Sequence, residues 1–185
     1  MTALLKQAPA AVIRFTPAQM KLIDEEADHL SEWYARVAKA NPLDMTDGKL
    51  GRFDRIRAGV AGQAALKVYL GTPIEEIRST GDFDRGVDEL IITKGGEVWT
   101  AQVKTSTTRP KFYYRRDKEQ DHSATVLVQA HQIDTDLVEL MGWIKRERYD
   151  RLEHPVPIAS KMYPGLELRY FDPLSTLWEQ VERPD

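Results

Sequence analysis

Apolar residues at Met20, Ile23, Ala27, Leu30, Tyr34 and Val37 recur in steps of three and four, drawing a narrow stripe along one helix. Thr16-Pro17-Ala18-Gln19 marks its start, with threonine as N-cap, proline at the first helical position and glutamine closing a capping box. Asn41-Pro42 stops it, because proline disfavours helical backbone in the residue before it. The stripe is read as packing on the chain's own core, with a dimer seam as the alternative, since about three heptads are the minimum for a coiled coil to be legible. A second helix is predicted from about Arg52 to Leu70. Phe53, Ile56, Val60 and Ala64 mark its apolar side, Gly71 stands at the C-terminal cap and Pro73 lies just beyond. Gly59 and Gly62 each cost this helix roughly 1 kcal/mol relative to alanine. Their predicted use is to let it lie close against a sheet.

Strand patterns follow. Ile74 to Ser79 is short and weak. Val87 to Thr93 is apolar and β-branched, and the Lys94-Gly95-Gly96-Glu97 turn joins it to Val98 to Thr105 as a hairpin. Ser123 to Ala130 is a nearly continuous apolar run, as a central strand covered on both faces requires. Leu137 to Ile144 reads as another strand. Asp172 as N-cap, Pro173 at N1 and Leu174, Leu177, Trp178 and Val181 at helical spacing predict a closing helix over about 173–181. The reading is one α+β domain over 1–185, a central mixed sheet flanked by helices, with an N-terminal helical extension at about 16–40.

Composition narrows the chemistry. The 185 residues are 42% hydrophobic and 30% charged, ordinary for a globular chain with one good core. The absence of cysteine excludes thiol nucleophiles, zinc fingers and iron–sulfur ligation. His29, His122, His131 and His154 stand singly, without the spacing of a helical zinc site. No apolar run approaches the roughly 18 residues of a membrane span, and 1–11 lacks the apolar core of a secretory peptide. No membrane partner, no organic cofactor and a cytoplasmic location are the expectations.

The net charge of −3 argues against strong non-specific nucleic-acid binding, but the charges are polarised. Six basic residues (Lys104, Arg109, Lys111, Arg115, Arg116 and Lys118) face one acid between 104 and 118, and a second set follows at Lys145, Arg146, Arg148 and Arg151. Lys111-Phe112-Tyr113-Tyr114-Arg115-Arg116 combines charges for phosphates with rings able to stack. Arg109, Lys111, Tyr113, Tyr114, Arg115, Arg116 and Lys118 are the candidate DNA contacts. The alternative is a loop whose aromatics cap the core.

Alternation along Val98 to Thr105 sends Trp99, Ala101 and Val103 to one face and Thr100, Gln102 and Lys104 to the other. The preceding strand brings Asp88 into the same sheet. An acid, an amide and a lysine then converge. Asp88, the Gln102 side-chain oxygen and the Val103 carbonyl can supply three oxygen ligands to a hard divalent cation, leaving Lys104 to orient or deprotonate the attacking water. Polar residues on one face also fit a half-exposed antiparallel strand.

Asp84-Arg85-Gly86-Val87-Asp88-Glu89-Leu90-Ile91-Ile92, a Gly-Gly turn, and Ala101-Gln102-Val103-Lys104-Thr105-Ser106 resemble the PD-(D/E)XK nuclease superfamily. The match is to the Gln-X-Lys branch of restriction-like homing endonucleases and phage or prokaryotic nucleases. The family's helix, three-stranded meander, helix and strand fit the order from about 52 to 145, and Leu140 to Glu147 looks like the late strand and following segment.

The resemblance implies an endonuclease that hydrolyses DNA with Mg²⁺, or with Mn²⁺ in its place. Asp88 is the implied metal-binding acid, Gln102 the second ligand and Lys104 the catalytic lysine. Where the family commonly places a glutamate after a glycine in the first core helix, this chain has Gly62-Gln63, so Gln63 takes that place. Asp82 and Asp84 are the acids available to compensate for the two glutamines. DNA is the implied partner, and duplex cleavage by two sites implies a homodimer. The alternative is a nuclease-fold protein that has lost turnover and binds DNA or a protein partner. A third reading is an interaction module using the helix from Pro17 to Lys39.

Overall fold

The computed structural model describes residues 11–38, 52–76, 89–114, 124–158 and 160–182. Helix α1 spans Pro17–Ala38 and opens with the expected capping box. The Thr16 N–H donates to Gln19 Oε1 at 2.9 Å, and the Gln19 N–H donates back to Thr16 Oγ1 at 3.3 Å. Ile23, Ala27 and Leu30 are buried in the main core, so these stripe positions pack within the chain. Asp24 on α1 also binds Arg57 Nε of the next helix at 2.6 Å.

Helix α2 spans Arg52–Leu70, the range the pattern predicts. It is buried on nearly every side over its second half, because α1 and the sheet both cover it. Phe53, assigned to its apolar side, is exposed, since it stands in the first turn, outside the part packed on both sides. Gly71 closes the helix at φ 77°. The Thr72 N–H reaches Lys67 O at 2.9 Å and the Gly71 N–H reaches Val68 O at 3.2 Å, the two bonds of a Schellman cap. Gly62 fulfils its expected use: a β-carbon there would collide with Thr105 Oγ1 and come within 3.3 Å of Val103 Cγ1. Gly59 does not, having open space around it.

The main sheet is mixed and five-stranded, in the order β1–β6–β5–β3–β2. Its strands are β1 (Val12–Arg14), β2 (Glu89–Ile92), β3 (Val98–Ser106), β5 (Val126–Asp134) and β6 (Leu137–Lys145). The predicted hairpin is β2–β3, with Glu89 opposite Ala101 and Ile92 opposite Val98. Gly96, at φ 79°, makes its turn. The apolar run predicted as a central strand is β5, parallel to β3 and antiparallel to β6.

Other elements depart from the sequence reading. Ile74–Glu76 is a 3₁₀ turn where a weak strand was expected, and 77–79 lie outside the described residues. A second, three-stranded sheet has the order β4–β8–β7, from β4 (Phe112–Tyr114), β7 (His154–Ile158) and β8 (Lys161–Glu167). Pro155 and Pro157 hide β7 from a strand pattern, and they are tolerated because β7 is an edge. Helix α3 spans Arg146–Leu152. Helix α4 spans Leu174–Gln180 with Pro173 as N-cap. Asp172 does not cap it, because its carboxylate is held by Arg148 at 2.6 Å.

The two faces of the main sheet carry separate cores. Residues of α1, α2 and α4 pack with Trp99, Ala101, Val103, Val126, Val128 and Trp143 on one face. On the other, Leu127 and Ile144 meet Tyr113, Tyr149 and Leu166. Among the described residues no helix is long and apolar enough to cross a membrane.

Candidate functional site

Alternation in β3 places Gln102 and Lys104 together on the face of the second core, as expected. Both side chains are half-buried. Tyr113, from β4, stands over them: its hydroxyl donates to Gln102 Oε1 at 3.3 Å, and the Lys104 ammonium lies 5.5 Å from its ring centroid. Tyr113 is itself held edge-on by Tyr149 at 5.3 Å. The ring therefore fixes the amide's orientation and provides a π-face to the cation.

Parallel pairing extends this row across the sheet, with Lys104 beside Gln129 and Ser106 beside His131. The Gln129 amide is buried and donates to the carbonyls of Lys104 and Ala130, both at 2.8 Å, which ties β5 to the backbone under the lysine. On β6, Glu139 pairs with His131 and grips Arg109 with both oxygens, at 2.7 and 3.2 Å. His131 Nδ1 lies 3.8 Å from the same carboxylate. The row thus runs from an aromatic end at Gln102 to a charged end at Glu139.

The other residues singled out by sequence fall in different places. Asp82, Asp84, Asp88, Arg115, Arg116 and Lys118 lie outside the described residues. Gln63 belongs to α2, which packs against Val103 and Thr105 and hence on the opposite face of β3 from Gln102 and Lys104. The Val103 side chain is likewise buried toward α2, and its backbone pairs with Val128 of β5. Tyr113, expected on a nucleic-acid surface, is fully buried and cannot stack on a base there, because the middle residue of β4 points into the core. Tyr114 is half-buried beside Tyr163, with ring centroids 5.5 Å apart, and Lys111 is exposed. Arg109 is exposed yet already engaged by Glu139.

Sequence reasoning missed Gln129, His131 and Glu139. Gln129 is the single amide within the apolar run of β5, and Glu139 interrupts β6 in the same way. Each is a polar position in a strand covered by other elements, and that was the available signal. It also missed an ion pair on the opposite face, where the Lys67 ammonium of α2 lies 2.5 Å from Glu89 Oε2 of β2 and both side chains are buried.

Comparison with protein-family models, with curated proteins and with solved structures finds no match.

Proposed function

We propose that this chain is a magnesium-dependent DNA endonuclease of the PD-(D/E)XK kind, working from the row that contains Gln102 and Lys104. The observation that carries the reading is their placement: amide and lysine share one face of β3, and Tyr113 orients the amide. A bridging donor on Gln102 Oε1 leaves that oxygen a second lone pair. With the Val103 carbonyl and the Asp88 carboxylate it would make an all-oxygen set, the chemistry magnesium requires. Bound there, the ion would supply Lewis acidity toward a phosphoryl oxygen.

This chain's own residues would do the rest. Lys104 would hold the attacking water or balance the negative charge that develops on the phosphate. Its backbone is anchored through Gln129, so the ammonium is positioned by the sheet. Lys111, with the basic residues of 115–118, would hold the DNA backbone, and Arg109 would join them on release from Glu139. Cleaving both strands of a duplex calls for two copies of the site.

A second reading, a nuclease-fold protein that binds DNA or a protein partner without turnover, is favoured by one specific feature. Gln102 is a neutral ligand whose oxygen already accepts a hydrogen bond, so its hold on a cation is weaker than a carboxylate's. Cleavage assays with Mg²⁺ and with Mn²⁺ on plasmid, linear duplex, single strands and a junction separate the two. Metal-dependent cutting lost in both Lys104→Ala and Asp88→Asn is the expected result. Binding that is indifferent to metal, without cutting, would establish the second reading instead.

A further inference from the structure

The basic set that follows β6 has three different fates. Arg146 binds Asp150 with Nε 2.8 and 2.9 Å from its oxygens, and Arg148 is held by Asp172. Lys145 and Arg151 have no carboxylate partner among the described residues. Both line one cleft of about 370 Å³ between the end of β6, α3 and the residues around Asp172. Trp99 and Trp143 form its inner wall as a stacked pair with centroids 6.1 Å apart. The Lys145 ammonium sits 4.3 Å from the Trp99 ring centroid, a cation held over an indole at the mouth of a recess. The cleft lies on the sheet face of Trp99 and Trp143, opposite the one that carries Gln102 and Lys104.

Two unneutralised cations beside an aromatic wall call for a ligand that is anionic at one end and flat and apolar at the other. The recess sits near the small end of the roughly 300–1,000 Å³ of ligand pockets, so it has room for one such unit and not for a dinucleotide. Glu147, which also lines the cleft, offers an acceptor to hydroxyl or amino groups. We propose that this cleft binds a single nucleotide unit, its phosphate on Lys145 and Arg151 and its base against the edge of the tryptophan pair. The unit is either a free mononucleotide or the end of a nucleic-acid strand. The proposal does not rest on the nuclease reading, since the two faces of the sheet are separate.

Calorimetric titration of the full chain at low salt tests it, using thymidine monophosphate, thymidine, inorganic phosphate, and a short single strand with and without a 5′ phosphate. Tryptophan emission, followed in parallel, reports whether the ring is reached. The expected result is that the monophosphate, or the phosphorylated strand end, binds about tenfold or more tightly than the nucleoside and changes the emission. The double variant Lys145→Gln with Arg151→Gln is expected to lose about tenfold or more of that affinity. Both side chains are exposed or at the rim, and an unchanged melting temperature confirms the fold. Preference for the strand end alone names nucleic acid as the source, and equal binding of the free monophosphate names the mononucleotide. Inorganic phosphate or thymidine binding as tightly as the monophosphate, an unaffected double variant, or no binding of any probe overturns the proposal.

Discussion

On the face of β3 that meets α2, Trp99, Ala101 and Val103 are buried and Thr105 lies against Gly62 without space for a methyl group between them. One residue along, on the opposite face, Gln102 and Lys104 remain half-buried and meet an aromatic hydroxyl and a ring. Under α2 the first face holds its charge as a closed pair, Lys67 with Glu89, since the packed helix leaves little water to solvate either ion. The second spreads its polar groups from Gln102 through Gln129 to Glu139 and Arg109, each with a partner and several with access to solvent. The difference teaches where polar chemistry can be used. A sealed charge is spent on holding two elements together, whereas a half-covered one is still available to a ligand.

Substitutions test the contrast by their cost. Lys67→Met leaves Glu89 buried beside no cation and is expected to lose about 3–5 kcal/mol in urea unfolding. The double change Lys67→Met with Glu89→Leu recovers most of it, as an apolar pair fits the same site. A loss near zero in the single variant would mean the pair is wet, and the contrast between the faces would fail. Gly62→Ala comes next, at about 1–3 kcal/mol from overpacking against Thr105, less the roughly 1 kcal/mol that alanine returns in helix propensity. Gly59→Ala, in open space, is expected to stabilise by up to that propensity gain, so opposite signs at the two glycines would sharpen the comparison.

Tyr69, also on the α2 side, has its phenol pushed up to about 12 by burial. The folded chain therefore keeps this proton while the unfolded chain releases it near pH 10. Stability falls as pH rises from 10 to about 12, by an amount on the order of 1 kcal/mol, and Tyr69→Phe removes that dependence. Unfolding curves across this window measure it. Tyr113→Phe, on the other face, costs about 1 kcal/mol through its bond to Gln102. Lys104→Gln is the smallest, within about 0.5 kcal/mol in stability, which separates its role in any activity from a role in folding.

Local rules made much of this legible. The capping box at Thr16 and Gln19, the ends of α2 at Arg52 and Gly71, and the hairpin turn at Gly96 depend on neighbours a few residues apart. So does the strand alternation that puts Gln102 and Lys104 on one face. The three-residue β1 and the proline-bearing β7 were not legible, because short edge strands carry no period and are defined by the strand beside them. Tyr113 illustrates the same limit within the site. Its neighbours mark it as a surface aromatic in a basic run, and only the pairing of β4 with β8 turns it inward.

By itself, then, the sequence determined the helices α1 and α2, the β2–β3 hairpin, the central strand β5 and the pairing of amide with lysine on one strand face. Each follows from backbone propensity and from the periods of helix and strand, which act over a few residues. Tertiary structure alone decided the fate of the charges: Glu89 with Lys67, Arg109 with Glu139, Arg148 with Asp172. These partners lie more than twenty residues apart, as the thirty between Arg109 and Glu139 show, and a charge carries no local mark of which opposite charge the fold will bring to it. The Trp99 and Trp143 cleft, whose Lys145 and Arg151 have no carboxylate partner among the described residues, is a product of the same long-range pairing.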